Sequence, residues 1–382
     1  MSDDALSIGP LGERIPGVRS IAVLRGGGLG DLLFAMPAVD SLAAAYPGAS
    51  ITMLGTPLHA ELLNGRPGPV AGVELLPPAP GIFEAEPSGD AGRIRSQFFE
   101  RMRERSFDLA VQVHGGGGNS NPFVLELGAA HTVGLQAPGA PPLDRTVPYR
   151  YYQHEMLRAL EVVGLVGAAP VRLEPRLQVT DAERQRARNL LGRSASSTPA
   201  PLLVVHPGAT DPRRRWPAER FAEVAERALA AGMKVVVVGD ASDGEAAERI
   251  VRMAGGGSGT AGGGAAGRIR SLAGHLRLGE LAGLLREADV FVGNDSGPRH
   301  LALAVGCPTV GVFWFGNVIN AGPLSRSRHR IHIAWRTTCP VCGREQVRGD
   351  DGRCEHDDSF VSEVPAADVW ADVAELARPA AP

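Results

Sequence analysis

Ile21-Ala-Val-Leu-Arg-Gly-Gly-Gly-Leu-Gly-Asp31 runs from an apolar stretch into a glycine turn that ends on a carboxylate. Residues 21–24 read as a buried strand, and residues 31–46 carry apolar side chains at helical spacing. A strand feeding a helix through a glycine turn is the opening unit of a parallel α/β sheet. The dinucleotide fingerprint fails here. With Gly26 and Gly28 in place, position 31 would need a glycine and holds Asp31, and the next strand ends Met53-Leu54-Gly55 without an acid for a ribose. An NAD enzyme is therefore disfavoured. Two readings of Asp31 stand: a helix cap worth about 1 kcal/mol, or a catalytic carboxylate beside glycines that admit a second molecule.

The alternation continues outward from this turn. Residues 51–54 and 107–113 read as strands, with a helix over 58–63 between them. In the second half, strands are expected at 202–205, 234–238, 289–292 and 309–313, and helices at 217–231, 278–287 and 297–305. A chain of 382 residues exceeds one ordinary domain, and a hydrophobic share of 44% is enough for two cores. The expected division is 1–190, 191–335 and a Cys-rich segment with a final helix, 336–382, with 194–201 as linker. Residues 255–267 hold eight glycines and read as an inserted surface loop. A net charge of −3 gives no electrostatic footprint for nucleic acid. No apolar run reaches membrane-spanning length, and the polar N-terminus lacks signal-peptide order. The expectation is a cytoplasmic protein, at most peripheral at the inner face of a membrane.

Val292-Gly-Asn-Asp-Ser-Gly-Pro-Arg-His300 is the second strand-to-helix turn. Asp295 or Ser296 is placed to cap, Pro298 suits the first helical turn, and the N–H groups there form an anion site. A diphosphate suits it, with Gly297, Arg299 and His300 gathered beside Ser296 and Pro298, and Asn294 counted among the donor-binding residues. His206-Pro-Gly-Ala-Thr210 follows another strand, and Arg213-Arg-Arg-Trp216 follows in the loop. Three adjacent arginines are either a solvated run or a phosphate clamp. Asp243 is either a ribose acceptor or the cap of a helix starting at Gly244. Gly28 and Gly30 are placed on the acceptor side; His114, Asn119 and Asn121, which follow a strand, either line that side with them or are loop residues around a glycine run. Tyr151, His154 and Arg158 are expected on one helix face, as packing residues.

Cys339, Cys342, Cys354 and His356 give C-x2-C-x11-C-x-H, a four-ligand set of the closed, structural type, with zinc favoured over iron. Cys307 reads as a small buried residue.

Taken in order, these motifs resemble glycosyltransferase family 9, the ADP-heptose:lipopolysaccharide heptosyltransferases. Residues 25–37 resemble its glycine turn, Gly-Asp and following proline. Residues 203–216 resemble its Pro-Gly…Lys-x-Trp segment, and 278–308 its Leu-x-Glu-Leu…Asp-Ser-Gly…His-x-Ala…Gly-x-Pro segment. The resemblance implies a GT-B fold, two Rossmann-like domains facing a central cleft, with the final helix, 366–377, packing back toward the first domain. It implies Asp31 as general base for an inverting transfer. It places Asp295, Ser296, Gly297 and His300 on the donor diphosphate and sugar, and Thr210 and Asp243 on the nucleotide. Arg214 takes the position of the family lysine, so the residue type departs there. The donor implied is a nucleoside-diphosphate sugar, ADP-heptose first, and the acceptor a glycan, a lipid-linked sugar or a protein. No Asp-x-Asp occurs, so no cofactor is required for the chemistry. Some relatives that glycosylate proteins carry a cysteine-ligated iron in the corresponding region, which keeps iron open beside zinc. Two other classes remain: a nucleotide-sugar-binding scaffold without turnover, and a GT-B epimerase acting on the donor itself.

Overall fold

The computed structural model describes residues 8–84, 90–192, 200–255, 267–346 and 353–377. Most of the expected linker and of the glycine-rich insertion lies outside them. The chain divides into two units, Met1–Gln178 and Val179–Pro382.

The first unit holds strands β1 (Ser20–Leu24), β2 (Ser50–Gly55), β3 (Val70–Leu75), β4 (Leu109–Gln112), β5 (His131–Gln136) and β6 (Arg145–Pro148). Its helices are α1 (Leu29–Ala45), α2 (Pro57–Leu63), α3 (Ala91–Glu104), α4 (Ser120–Glu126) and α5 (Glu155–Gly164). The sheet order is β3-β2-β1-β4-β5-β6, every pair parallel. Residues Ile21 to Leu24 of β1 are buried, as a strand covered on both faces requires.

The second unit begins with α6 (Asp181–Leu191) and repeats the plan: β7 (Leu202–His206), α7 (Ala218–Ala230), β8 (Lys234–Val237), α8 (Gly244–Gly255), β9 (Ile269–Ser271), α9 (Leu278–Glu287) and β10 (Val290–Asn294). Then come α10 (Gly297–Ala304), β11 (Thr309–Trp314), α11 (Phe315–Ala321), β12 (His329–Ala334) and α12 (Ala366–Leu376). The order β12-β11-β10-β7-β8-β9 is again all parallel. Counted from the first strand of its own unit, each sheet runs 3-2-1-4-5-6 or its reverse. The strand order therefore reverses between β1 and β4 and between β7 and β10. Open α/β sheets bind ligands at such switch points, beyond the carboxyl ends of the strands.

Two expectations are corrected. Helix α6, placed in the first domain by its position before the linker, packs on α9 of the second unit. A Cβ at Gly283 would lie 2.4 Å from the Glu183 carbonyl oxygen, so only glycine permits that approach. The final helix α12, expected on the first domain, packs within the second unit. Val369 and Val373 sit in the second unit's core with Phe221, Val224 and Val292, against α7. Strands β3, β5, β6, β9 and β12 went unanticipated; β3, β6, β9 and β12 lie at sheet edges, where partial burial weakens the apolar signal.

Candidate active site

Arg25 opens the first glycine turn. Its side chain is buried at the end of β1 and donates to the Val113 carbonyl beyond β4. Its Nη2 lies 2.5 Å from Asp31 Oδ1 and 3.2 Å from Glu155 Oε2. Glu155 also accepts from buried Arg158 (2.7 Å), whose guanidinium lies over the Tyr149 ring. The other Asp31 oxygen, Oδ2, accepts from Gly28 N–H (2.9 Å). Both readings of Asp31 are thus accommodated by one carboxylate: Oδ2 serves the helix N-terminus, while the side chain stays 44% exposed. Burial pushes the Asp31 pKa up, but the Arg25 charge and the Gly28 N–H outweigh it and hold the carboxyl below its ordinary value.

The glycines differ in what demands them. Gly27 has φ +87°, and a Cβ there would meet Asp31 Oδ2 at 2.5 Å. A Cβ on Gly26 would strike the Ile82 carbonyl at 2.1 Å. Gly28 has an ordinary negative φ and nothing closer than Asp31 Oδ2 at 3.9 Å, so the protein's own packing leaves that face open. Gly30 lies in the first turn of α1. Beside the turn a hollow of about 540 Å³ is lined by Gly27, Thr56, Pro57, Leu58, Ile82 and Phe83.

His114 accepts from Gly26 N–H at Nδ1 (3.2 Å) and donates from Nε2 to the Gly81 carbonyl (2.8 Å). Burial lowers its pKa, so it is a neutral strut of the turn, with both nitrogens occupied. His59, which gave no signal in the sequence, does the same from the other side. Its Nδ1 accepts from Thr56 N–H (3.3 Å) and its Nε2 donates to the Gly28 carbonyl (3.2 Å). Burial lowers its pKa as well. Asn121 is buried and donates to the Leu135 and Pro141 carbonyls. The expected helix face of Tyr151, His154 and Arg158 is not there. Tyr151 precedes the helix and is exposed, and His154 is the N-cap of α5.

In the second unit, the turn after β10 gathers most of the expected donor residues, with distinct tasks. Asn294 is fully buried; it donates to the Pro207 and Gly208 carbonyls and accepts from Trp216 N–H, tying the loops after β7 and β10 together. Asp295 accepts from Arg214 (3.2 Å), Asn317 (3.0 Å) and His300 Nε2 (3.2 Å). Burial raises its pKa, but the His300 hydrogen bond and the Arg214 charge outweigh that and keep the carboxyl lowered. His300 Nδ1 accepts from Arg299 Nη1 (3.1 Å), so both of its nitrogens are engaged.

Ser296 occupies the N-cap of α10, but neither it nor Asp295 caps through its side chain. Its hydroxyl meets His206 Nδ1 (3.1 Å), and His206 Nε2 faces Asp243 Oδ2 at 3.4 Å. Asp243 does not cap α8. It ends the short 3-10 turn Ala241–Asp243, accepts from Asp240 N–H (3.1 Å) and fills the space over Gly208 and Gly239. Burial raises its pKa, and the His206 hydrogen bond prevails to lower it. Arg299 leaves the anion site altogether: it is fully buried over the Phe313 ring at 4.7 Å. What remains open there are Arg214, the Ser296–Gly297 segment and exposed Thr210.

Cys339, Cys342, Cys354 and His356 bring one ligand atom each within 4.8 Å of one another, a separation that a single tetrahedral ion spans. His356 Nδ1 is buried and has no hydrogen-bond partner among the described residues, as an atom reserved for a ligand would be. The residues fit a metal. Cys307 is buried apart from them, its thiol pushed up by burial.

Residues 95–346 match the family model "Glycosyltransferase family 9 (heptosyltransferase)". The chain is 28% identical over 194 residues to lipopolysaccharide heptosyltransferase 2 of Escherichia coli, covering 50% of this chain and 51% of that protein. It therefore spans about half the length of that relative. Lipopolysaccharide heptosyltransferase 1 of Pseudomonas aeruginosa is 25% identical over 84% of this chain and 85% of its own. Among solved structures, heptosyltransferase II of E. coli superposes with a TM-score of 0.69 at 21% identity, over 94% of this chain and 98% of its own. The iron-containing dodecameric glycosyltransferase TibC of E. coli superposes at 0.52 and 16% identity, over 97% and 80%. At these identities the structural matches speak to the fold, which is the two-unit GT-B plan.

Proposed function

Because the chain belongs to glycosyltransferase family 9, we propose that it is an inverting glycosyltransferase using a nucleoside-diphosphate sugar, ADP-heptose first among donors. The acceptor is a hydroxyl of a glycan, a lipid-linked sugar or a protein, met at the inner face of the membrane. The observation that carries this reading is Asp31 itself: an ionised, accessible carboxylate at a strand-order switch point, braced by buried Arg25.

In the mechanism Asp31 accepts the proton of the acceptor hydroxyl, whose oxygen bonds to the anomeric carbon as the bond to the diphosphate oxygen breaks. A lowered pKa makes Asp31 a modest base. That suffices when the proton leaves late, after the attacking oxygen has become acidic. The departing diphosphate is received by Arg214 and the N–H groups opening α10, with Ser296 and Thr210 beside them. Asp295, Asn294 and His300 hold these groups in place rather than face the anion, since a carboxylate would repel it. Gly28 and the hollow lined by Leu58 and Phe83 receive the acceptor.

Cys339, Cys342, Cys354 and His356 would hold a zinc or iron ion that cross-links the segment and takes no part in transfer. Three thiolates and an imidazole suit either metal, and TibC is an iron-containing protein of the same fold.

The test is product analysis with ADP-, GDP-, UDP- and dTDP-sugars, with and without acceptor. Acceptor-dependent consumption of one donor with inverted linkage supports the proposal. Donor isomerisation without acceptor would identify an epimerase, and tight binding without turnover a scaffold.

A further inference from the structure

The cysteine–histidine group and the arginine loop are gripped together inside the second unit. Phe360 N–H donates to the Arg213 carbonyl (2.8 Å), and the Ser359 hydroxyl donates to the Arg215 carbonyl (2.6 Å). The two bonds fix the backbone carbonyls of the residues that flank Arg214. Arg213 adds a third link, its Nη1 donating to Gln346 Oε1 (3.0 Å) while its guanidinium lies over the Phe360 ring at 5.7 Å. Phe360 in turn is buried in a small cluster with Cys339 and Cys354, two of the four ligand-bearing residues, against Trp314.

From this arrangement we propose that Ser359 and Phe360 are positioning residues: seated by the metal-bound knuckle, they hold Arg214 toward the donor's diphosphate. The ion at Cys339, Cys342, Cys354 and His356 thereby sets affinity for the nucleoside diphosphate. This rests on the donor-site reading of Arg214.

The physical reason is the size of what holds the knuckle without an ion. Among the described residues its apolar cluster has three buried members, Cys339, Cys354 and Phe360. Its turn is closed by a few backbone bonds, Cys339 N–H to Arg344 and Gly343 N–H to Cys339 among them. An ion ties four side chains from both ends of the segment to one point, which such a turn cannot do for itself. Phe360 then stays in place, and with it the two donors that hold the carbonyls flanking Arg214. Arg214 keeps its Nη1 on Asp295 (3.2 Å), a quarter of its side chain facing solvent. Loosened, it must be ordered by the ligand, which weakens binding.

The experiment measures ADP and AMP affinity by calorimetry on the full chain, metal-loaded or stripped by chelator, with metal content read by elemental analysis. Arg214 is directed at the diphosphate, so the ADP-to-AMP affinity ratio is the readout a general loss of structure would not move selectively. Stripping the metal, or Ser359→Ala with its metal retained, should lower the ratio roughly threefold to tenfold, about one hydrogen bond's worth. Ser359→Thr, which keeps the hydroxyl, should restore it, and so should returning the ion. An unchanged ratio in Ser359→Ala and in stripped protein, with Arg214→Ala still lowering ADP affinity, overturns the inference alone. If Arg214→Ala leaves ADP affinity as it was, the donor-site reading fails and takes the inference with it.

Discussion

Arg25 Nη2 stands between two carboxylates, 2.5 Å from Asp31 and 3.2 Å from Glu155, and Glu155 is itself held by Arg158. Asp31 therefore stands at the exposed end of a buried chain of alternating charges, which fixes its orientation before any ligand arrives. Asp31→Asn keeps the shape and removes the carboxylate proposed to accept the proton. Turnover should fall by roughly 10²–10⁴-fold while ADP affinity holds. Turnover within about tenfold of the parent would remove Asp31 from the mechanism.

The pH profile follows from the same pair. The folded pKa of Asp31 is lowered, so the base is ionised above the ordinary carboxylate range and is lost only as pH falls through the lowered value. Arg25→Met removes the charge that lowers it. The acid limb of kcat/KM should then move to higher pH, and the protein should lose about 1–3 kcal/mol of stability because half-exposed Asp31 loses its buried cation while Glu155 keeps Arg158. An acid limb that stays put in a folded variant argues against Asp31 as the titrating group.

Gly27 and Gly28 separate conformational need from ligand access. Gly27→Ala places a side chain at φ +87° and against Asp31, and should cost about 1–3 kcal/mol in thermal or chemical unfolding. Gly28→Ala meets no atom nearer than 3.9 Å and should fold with parental stability. Its KM for acceptor should rise all the same. Parental kinetics for Gly28→Ala would mean that nothing docks on that face.

Asp295 makes an acid-stability prediction. Its folded pKa is lowered, so its contribution is complete above the unfolded value of about 3.9 and is lost as pH falls toward the folded one. Asp295→Asn should cost about 3–5 kcal/mol at neutral pH, since Arg214 loses its buried partner. In the acid window the variant should lose less further stability than the parent. Melting curves from neutral to strongly acidic pH distinguish the two; parallel curves would contradict the assignment.

The fold was legible because the central strands are near-continuous apolar runs that end in glycine turns, at residues 21–24, 202–205 and 289–292. The edge strands are half-buried, and their sequences mix polar and apolar residues. Helix α6, Asp-Ala-Glu-Arg-Gln-Arg-Ala-Arg-Asn-Leu-Leu, shows little apolar periodicity, and its docking depends on glycines at positions 279 and 283, far along the chain. At the site, the turns and their acids could be read locally. The partners of those acids could not. Glu155 lies 130 residues from Arg25, Asn317 lies 22 from Asp295, and His59 reaches the first turn only through the geometry of α2. Arg299 shows the converse hazard: its place beside Ser296 suggested a phosphate ligand, but the turn of α10 sends it into the core.

The anchoring of α12 against α7 bears on the order in which the chain acquires structure during translation. Trp216 gives its indole N–H to the Val364 carbonyl, so a residue laid down early in the second half waits for one made 148 positions later. The first unit draws on a single uninterrupted stretch and can condense while the ribosome is still at work. The second cannot close its core until α12 has emerged, and for that interval its valine-rich strands stand open to mispairing with other chains.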